Sequence, residues 1–283
     1  MNAPANRPGR VAGKVAFITG AARGLGRSHA VRLAEEGADI VAVDLCRDDP
    51  DSPYQLGRSR DLDETAHLVE KTGARIVTAQ ADVRDQAALD AAAAQAIEAF
   101  GHLDIIVPNA GLVSFGRAWE LTEEQWNATL GVILTGVWHT VKATLPAMIE
   151  ARRGGSVVVI GSVNSLRGAA EISHYAAAKH GLVGFARSLA LEVAEYSIRV
   201  NLVAPGTVET VMATSPAILQ RYRPDLDQPT LDDVDSFLRA RNPLPIRSVD
   251  PVDVSNAVVY FASDDARHVT GTVLPVDAGW TAR

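Results

Sequence analysis

Seven short β-branched runs alternate with helix-forming stretches along almost the whole 283-residue chain, and the first run empties directly into a glycine-rich turn. The strand candidates are Val15–Thr19, Asp39–Val43, Arg75–Ala79, Asp104–Val107, Ser156–Ile160, Arg199–Leu202 and Val273–Val276. Several are apolar nearly throughout, the pattern of parallel strands covered on both faces. Between them lie helix candidates at Leu25–Glu36, Asp61–Thr72, Gln86–Phe100, Glu123–Arg152, Tyr175–Glu195 and Pro251–Ala262. Pro146 falls within the longest of these and predicts a kink or break there. A strand and helix in strict alternation can bury both faces of a sheet only through parallel crossovers. The expected fold is therefore α/β: one Rossmann-type, doubly wound domain over 11–283, with a seven-stranded, mainly parallel sheet flanked by helices.

Two stretches interrupt the alternation. Residues 46–60 are polar and turn-rich, and 207–246 carry Pro216, Pro224, Pro229, Pro243 and Pro245. Long segments of this kind within a domain are commonly binding loops or lids. The first is expected as an inserted loop on the side of the glycine turn, the second as a substrate lid. Residues 1–10 lack the apolar segment of a signal peptide and predict a flexible tail.

Composition removes several classes of function. A formal charge of −7 argues against nucleic acid. No apolar run reaches the ~20 residues of a bilayer span. The seven histidines show no metal-ligand spacing and read as surface or partly packed residues. The single cysteine, Cys46, sits among Asp44, Asp48 and Asp49, an electronegative setting that disfavours a thiolate, and it fits a reducing cytoplasm.

What remains is a cofactor end and a chemical end. Gly20-x-x-x-Gly24-x-Gly26 ends a strand and opens a helix, the arrangement that lets backbone amides approach a pyrophosphate. Asp44 closes the second strand, where a carboxylate accepts from both hydroxyls of an adenosine ribose and repels a 2′-phosphate; that favours NAD over NADP, although Arg47 stands near enough to blunt the preference. The alternative for Asp44 is a capping role in its loop.

Tyr175 and Lys179, at i and i+4, project from one helix face. For Tyr175 to act as a base near neutrality its phenolate needs about three units of stabilisation, ~4 kcal/mol. An ammonium at about 4 Å supplies that much at an effective dielectric near 20, and the charge of an oxidised nicotinamide adds to it. Ser162, thirteen residues upstream at a strand end, can hydrogen-bond a substrate oxygen. A Tyr-x-x-x-Lys pair by itself is only a helix face; joined to Ser162, the glycine turn and Asp44 in order, it points to an oxidoreductase.

These residues resemble the short-chain dehydrogenase/reductase family, from Gly13-Lys14-Val15 to Val276-Asp277-Ala278-Gly279. The resemblance implies a catalytic Ser162, Tyr175 and Lys179, with Lys179 also holding the nicotinamide ribose. It implies a cofactor site of Gly20, Arg23, Gly24, Leu25, Gly26, Asp44, Leu45, Asp82, Val83, Asn109, Ala110, Gly111, Tyr175, Lys179, Pro205, Gly206, Thr207 and Val208, with Asp82 at the adenine ring and Asn109 bracing the sheet. Gly26-Arg27-Ser28-His29-Ala30, the loop after Asp44, Leu134-Thr135-Gly136-Val137-Trp138 and Asp253-Val254-Ser255-Asn256 resemble its carveol-dehydrogenase-like branch, many of whose members are associated with the redox peptide mycofactocin.

That narrower likeness implies an extra loop packed over a tightly held NAD, an external mycofactocin-like redox carrier, cyclic apolar secondary alcohols such as terpenols as substrates, and a homotetramer joined through the Glu123–Arg152 and Tyr175–Glu195 helices. Val113, Asn164, Leu166 and Met212 are the candidate substrate contacts. One departure stands out. Ile133 occupies the position of the family's usual asparagine, which helps hold a water behind the lysine, so weakened turnover is expected, and a NAD-binding scaffold or sensor is the alternative function.

Overall fold

The computed structural model describes residues 9–283. Residues 1–8 of the expected tail lie outside that range; Arg10 at its end pairs with Glu36 through both its backbone N–H (2.9 Å) and its guanidinium (3.3 Å).

Seven strands form one sheet in the order β3-β2-β1-β4-β5-β6-β7, with every neighbouring pair parallel. They are β1 (Val15–Thr19), β2 (Asp39–Asp44), β3 (Ile76–Gln80), β4 (Ile105–Val107), β5 (Gly155–Ile160), β6 (Ile198–Pro205) and β7 (Val273–Val276). β1 and β4 are buried at every residue, as expected for central strands whose apolar side chains point into two cores at once. One core contains Phe17, Val41, Ile106, Val157 and Leu202; the other, on the opposite face, contains Ile18, Ile40, Ile105, Val158 and Val203.

The helices are α1 (Gly24–Glu35), α2 (Ser59–Glu70), α3 (Gln86–Phe100), α4 (Glu123–Leu130), α5 (Gly136–Ala151), α6 (Ser173–Glu192), α7 (Val211–Thr214), α8 (Pro216–Tyr222), α9 (Leu231–Arg241) and α10 (Pro251–Ala262). The chain turns from one side of the sheet to the other between β1 and β4. Open parallel sheets bind ligands at that switch, beyond the carboxyl ends of the strands.

Two expectations about the long helix need correction. The helix does not break at Pro146, which lies within α5; it changes at Gly131–Thr135, one π-helical turn between α4 and α5. The extra residue in that turn sinks Val132 and Ile133 into the core, while Gly136 approaches Val83 so closely that a Cβ would lie 2.6 Å from its methyl. Taken together, Glu123–Ala151 is also long and apolar enough to cross a membrane by length and composition, yet half of its most apolar window is buried in the protein, as in a core helix.

The segment 207–246 is not irregular; it folds into α7, α8 and α9. Arg241 at the end of α9 stacks over Tyr222, Phe237 and Trp280 at 4.7, 4.0 and 5.1 Å, tying these helices to the C-terminus.

Two histidines are not at the surface. His29 and His174 are fully buried, each held by a serine through one ring nitrogen: His29 Nδ1 lies 2.8 Å from Ser255 Oγ, and His174 Nε2 lies 2.9 Å from Ser114 Oγ. The other ring nitrogen of each, His29 Nε2 and His174 Nδ1, has no hydrogen-bond partner among the described residues. No cluster of metal-ligating side chains occurs among the described residues.

Candidate active site

A cleft opens at the carboxyl ends of β1, β2 and β4 and runs to the start of α6. Its phosphate end is shaped by missing side chains. Gly20 and Gly24 adopt left-handed φ of 67° and 57°. A Cβ on Gly20 would lie 2.9 Å from the Ala110 backbone, and one on Gly26 would lie 2.0 Å from the Gly20 carbonyl oxygen. Arg23 precedes α1 without any side-chain cap, and no acidic residue lies in the first turn. The helix N-terminus is thus left facing the cleft with its anion-attracting end unneutralised.

Asn109 locks this turn to the sheet. Its side-chain amide donates to the carbonyls of Thr19 (2.9 Å) and Gly20 (3.2 Å), while the N–H groups of Asn109 and Ala110 donate to Thr19 Oγ1. Asp44 accepts from the N–H groups of Ala22 (2.9 Å) and Cys46 (3.0 Å), one on each carboxylate oxygen, and lines the cleft. Each oxygen keeps a lone pair for a ribose hydroxyl. Arg47 pairs with Asp82 at 3.7 Å.

Asp82 and Val83 form the wall beyond. Burial pushes the Asp82 carboxyl upward, but hydrogen bonds from Arg84 outweigh it and hold the group ionised below its usual range. Burial pushes the Cys46 thiol up to about 11 and nearby Asp44 adds to this, so Cys46 stays a neutral thiol. These features fit a dinucleotide carrying a pyrophosphate and a free adenosine ribose.

At the other end, Tyr175 and Lys179 line the same cleft. Lys179 Nζ donates to the Ile160 carbonyl at 2.8 Å and lies 5.7 Å from the centre of the Tyr175 ring. Burial lowers Lys179 to about 7 and raises the Tyr175 phenol, the latter opposed by a hydrogen bond with the Ser162 side chain. Lys179 alone therefore does not make the phenol acidic. Ser162 Oγ accepts from the Asn164 N–H at 3.1 Å, which leaves its own proton free to be donated.

The cleft thus gathers Gly20, Arg23, Gly24, Leu25, Asp44, Leu45, Asp82, Val83, Asn109, Ala110, Gly111, Met212, Tyr175 and Lys179. Gly26 acts from beneath, as a packing position. Pro205, Gly206, Thr207 and Val208 do not line it: Gly206 and Thr207 are taken up in backbone bonds to Val276 and Val249, and Thr210, Val211 and Met212 take their place. Leu166 ends the turn after Ser162 and is 43% exposed, away from the lining, and Asn164 contributes its backbone rather than a wall.

Sequence reasoning did not single out Tyr54, Leu56 and Gly57 of the inserted loop, which close over the cleft, nor Ile172. Beside Tyr175 an apolar cluster forms from Tyr54, Val113, Ile172 and Ile218, with Met212 and Phe115 against it. The only sequence signal for Tyr54 was an aromatic residue in an otherwise polar loop.

Comparison with known proteins agrees with this geometry. A family model described as enoyl-(acyl carrier protein) reductase matches residues 20–281. The chain is 46% identical over 275 residues to a (-)-trans-carveol dehydrogenase of Rhodococcus erythropolis, covering 97% of this chain and 99% of that one. The crystal structure of a carveol dehydrogenase from Mycobacterium avium in complex with NAD superposes with a TM-score of 0.96 at 47% identity, covering 97% of this chain and all of that one. A short-chain dehydrogenase from Mycobacterium paratuberculosis bound to NAD gives a TM-score of 0.87 at 40% identity, covering 97% and 100%. The chain belongs to the short-chain dehydrogenase/reductase family.

Proposed function

We propose that this protein is a NAD-dependent alcohol dehydrogenase or ketone reductase that interconverts a cyclic, apolar, terpenol-like secondary alcohol and its ketone. The observation that carries the reading is the placement of Tyr175 and Lys179 on the cleft that also holds the Gly20 turn and the Asp44 carboxylate. When bound, NAD supplies the hydride acceptor for oxidation, or its reduced form the donor for reduction. Asp44 and the uncapped start of α1 orient the adenosine and pyrophosphate; Lys179, fixed by Ile160, presents its remaining N–H donors toward the ribose beside Tyr175.

In the oxidation, Ser162 donates a hydrogen bond to the alcohol oxygen and holds it against Tyr175. The alcohol O–H proton passes to the Tyr175 oxygen as the carbon gives up its hydride, and the C=O bond forms. Reduction reverses both transfers. Tyr54 and Met212 line the cleft beside Tyr175, backed by the buried Val113, Ile172 and Ile218, and this apolar side supports a cyclic hydrocarbon skeleton.

Exposed Trp126, Trp138 and Leu191 on α4, α5 and α6 support a homotetramer through those helices. The loop that closes the cleft supports a tightly held cofactor, reoxidised by an external mycofactocin-like carrier. A lone, protonated Cys46 suits the reducing cytoplasm.

The test follows reduced nicotinamide by absorbance with a panel of cyclic secondary alcohols, after bound cofactor has been assayed. Tyr175→Phe is expected to lower kcat by about a hundredfold or more while sparing NAD binding. Because burial raises the Tyr175 phenol, alcohol oxidation should speed up as pH rises above neutrality, and ketone reduction should slow. A Tyr175→Phe variant as active as the parent would refute the assignment. Wild-type protein that binds NAD but turns over no alcohol would favour the scaffold reading.

A further inference from the structure

The inserted loop is anchored at three points along the cleft. On the adenine side the buried Asp49 pairs with Arg84 at 2.8 Å, the residue that also holds Asp82. Over the phosphate turn, the Gln55 carbonyl accepts from Arg23, and a Cβ on Gly57 would lie 2.8 Å from the Ala22 methyl.

The third anchor lies beside Tyr175. Tyr54 is buried in the apolar cluster with Val113, Ile172 and Ile218, against Tyr175 and Met212, and it lines the cleft. Its hydroxyl oxygen accepts from the Val113 N–H at 3.2 Å, and Ser52 Oγ donates to its carbonyl at 2.7 Å, closing the turn that aims the ring. Burial raises its phenol, so it is neutral at any pH of interest.

Val113 is fixed from the opposite side as well. Its neighbour Ser114 bonds His174, one residue before Tyr175, and the Gly116 N–H donates to the Glu171 carbonyl at 2.9 Å. The wall at Val113–Gly116 is therefore gripped by α6 on one side and by Tyr54 on the other.

We propose that Tyr54 is a specificity-determining residue: its ring forms part of the substrate pocket, and its hydroxyl latches the inserted loop to the substrate wall. This rests on the dehydrogenase reading above. The consequence is that one loop serves both ligands. The substrate pocket is complete only while the loop lies closed over the cleft.

The test compares Tyr54→Phe, which keeps the ring and loses the latch, with Tyr54→Ala and Tyr54→Leu, which open the wall. The substrates are cyclohexanol and the bulkier carveol, and release of NADH from the holoenzyme is followed by its fluorescence. Tyr54→Ala and Tyr54→Leu should shift the ratio of kcat/KM for carveol over cyclohexanol upward by about tenfold or more. Tyr54→Phe should leave that ratio near the parent value and release NADH about fivefold faster or more, a neutral hydrogen bond of ~1 kcal/mol having been lost.

An unchanged substrate ratio in a folded Tyr54→Leu variant overturns the specificity role, and an unchanged release rate in Tyr54→Phe overturns the latch. If the parent enzyme oxidises neither alcohol, the substrate reading fails, and the NADH release rates still decide the latch.

Discussion

The two ends of the cleft are built on opposite principles. The phosphate end works by absence: Gly20, Gly24 and Gly26 hold nothing chemical, and the turn functions because no Cβ separates the backbone from its neighbours or from a bound anion. The Tyr175 end works by presence: Tyr175 and Lys179 are polar groups driven into the interior, where burial disfavours the charged form of each, raising the phenol and lowering the ammonium to about 7. The first is a steric site: an added carbon overlaps its neighbours at Gly20 and Gly26, and at Gly24 it is the left-handed φ of 57° that disfavours a side chain. The second is an electrostatic site, whose performance depends on which charges and hydrogen bonds surround it.

Adding a methyl group tests that contrast most sharply. In Gly26→Ala the new Cβ meets the Gly20 carbonyl at 2.0 Å and the Asn109 amide at 2.8 Å, both fixed by the turn itself. Strain of about 3 kcal/mol or more is expected to weaken NAD binding by over about a hundredfold, measured by titration of cofactor fluorescence. Gly181→Ala, in α6 beside the catalytic face, meets only flexible Leu134 methyls at 3.2 Å and should bind NAD nearly as the parent does. Equal effects from the two would erase the distinction between the ends.

Ile133→Asn probes the electrostatic end. Ile133 is fully buried in the same core as Ala178 and Leu182 of α6. If an asparagine there holds a water behind Lys179, as the family resemblance implies, turnover should rise about threefold, ~0.6 kcal/mol of barrier. Burying the amide should cost about 1–3 kcal/mol, seen as a lower Tm. An unchanged or lower kcat in a folded variant would count against a relay weakened by Ile133.

The smallest effect at neutral pH belongs to His29, outside both ends. Burial lowers its pKa from 6.5 to about 3. The unfolded chain takes up a proton as pH falls through 6.5, whereas the folded protein does not until about 3. Stability from this residue is therefore fully present above 6.5 and declines toward 3, at about 1.4 kcal/mol per unit within that window. His29→Gln should flatten the Tm profile there and leave NAD binding and turnover unchanged at neutrality. A profile parallel to the parent's would show that His29 does not govern it.

How legible each part was follows from its range in sequence. The strands, the glycine turn and the Tyr175–Lys179 helix are local: hydrophobic period, β-branching and i, i+4 spacing act within a few residues. They placed seven strands within a few residues of their observed limits and put the cleft at the right strand ends. The helix break was misplaced at Pro146, because a proline's backbone cost is visible in sequence, whereas the packing of Gly136 on Val83 that accompanies the π turn is a contact between residues fifty-three positions apart. His29 and His174 read as surface or partly packed residues, since the serines that bond them, Ser255 and Ser114, come from other elements. The likeness noted in Gly26–Ala30 and Asp253–Asn256 has a physical counterpart: these segments touch, through Ser255 with Ser28 and His29 and through Asn256 with Arg32.

The amino-acid sequence by itself determined the alternation that forces a parallel sheet, the bare turn at Gly20–Gly26 and the pairing of Tyr175 with Lys179, because short-range sterics and helical periodicity need no partner from elsewhere. Only the tertiary structure decided that the loop after Asp44 crosses the cleft to place Tyr54 beside Tyr175, and that burial leaves both the phenol and Lys179 away from their ordinary pKa values. Those outcomes depend on desolvation and on contacts between distant segments, which arise only when the chain has folded.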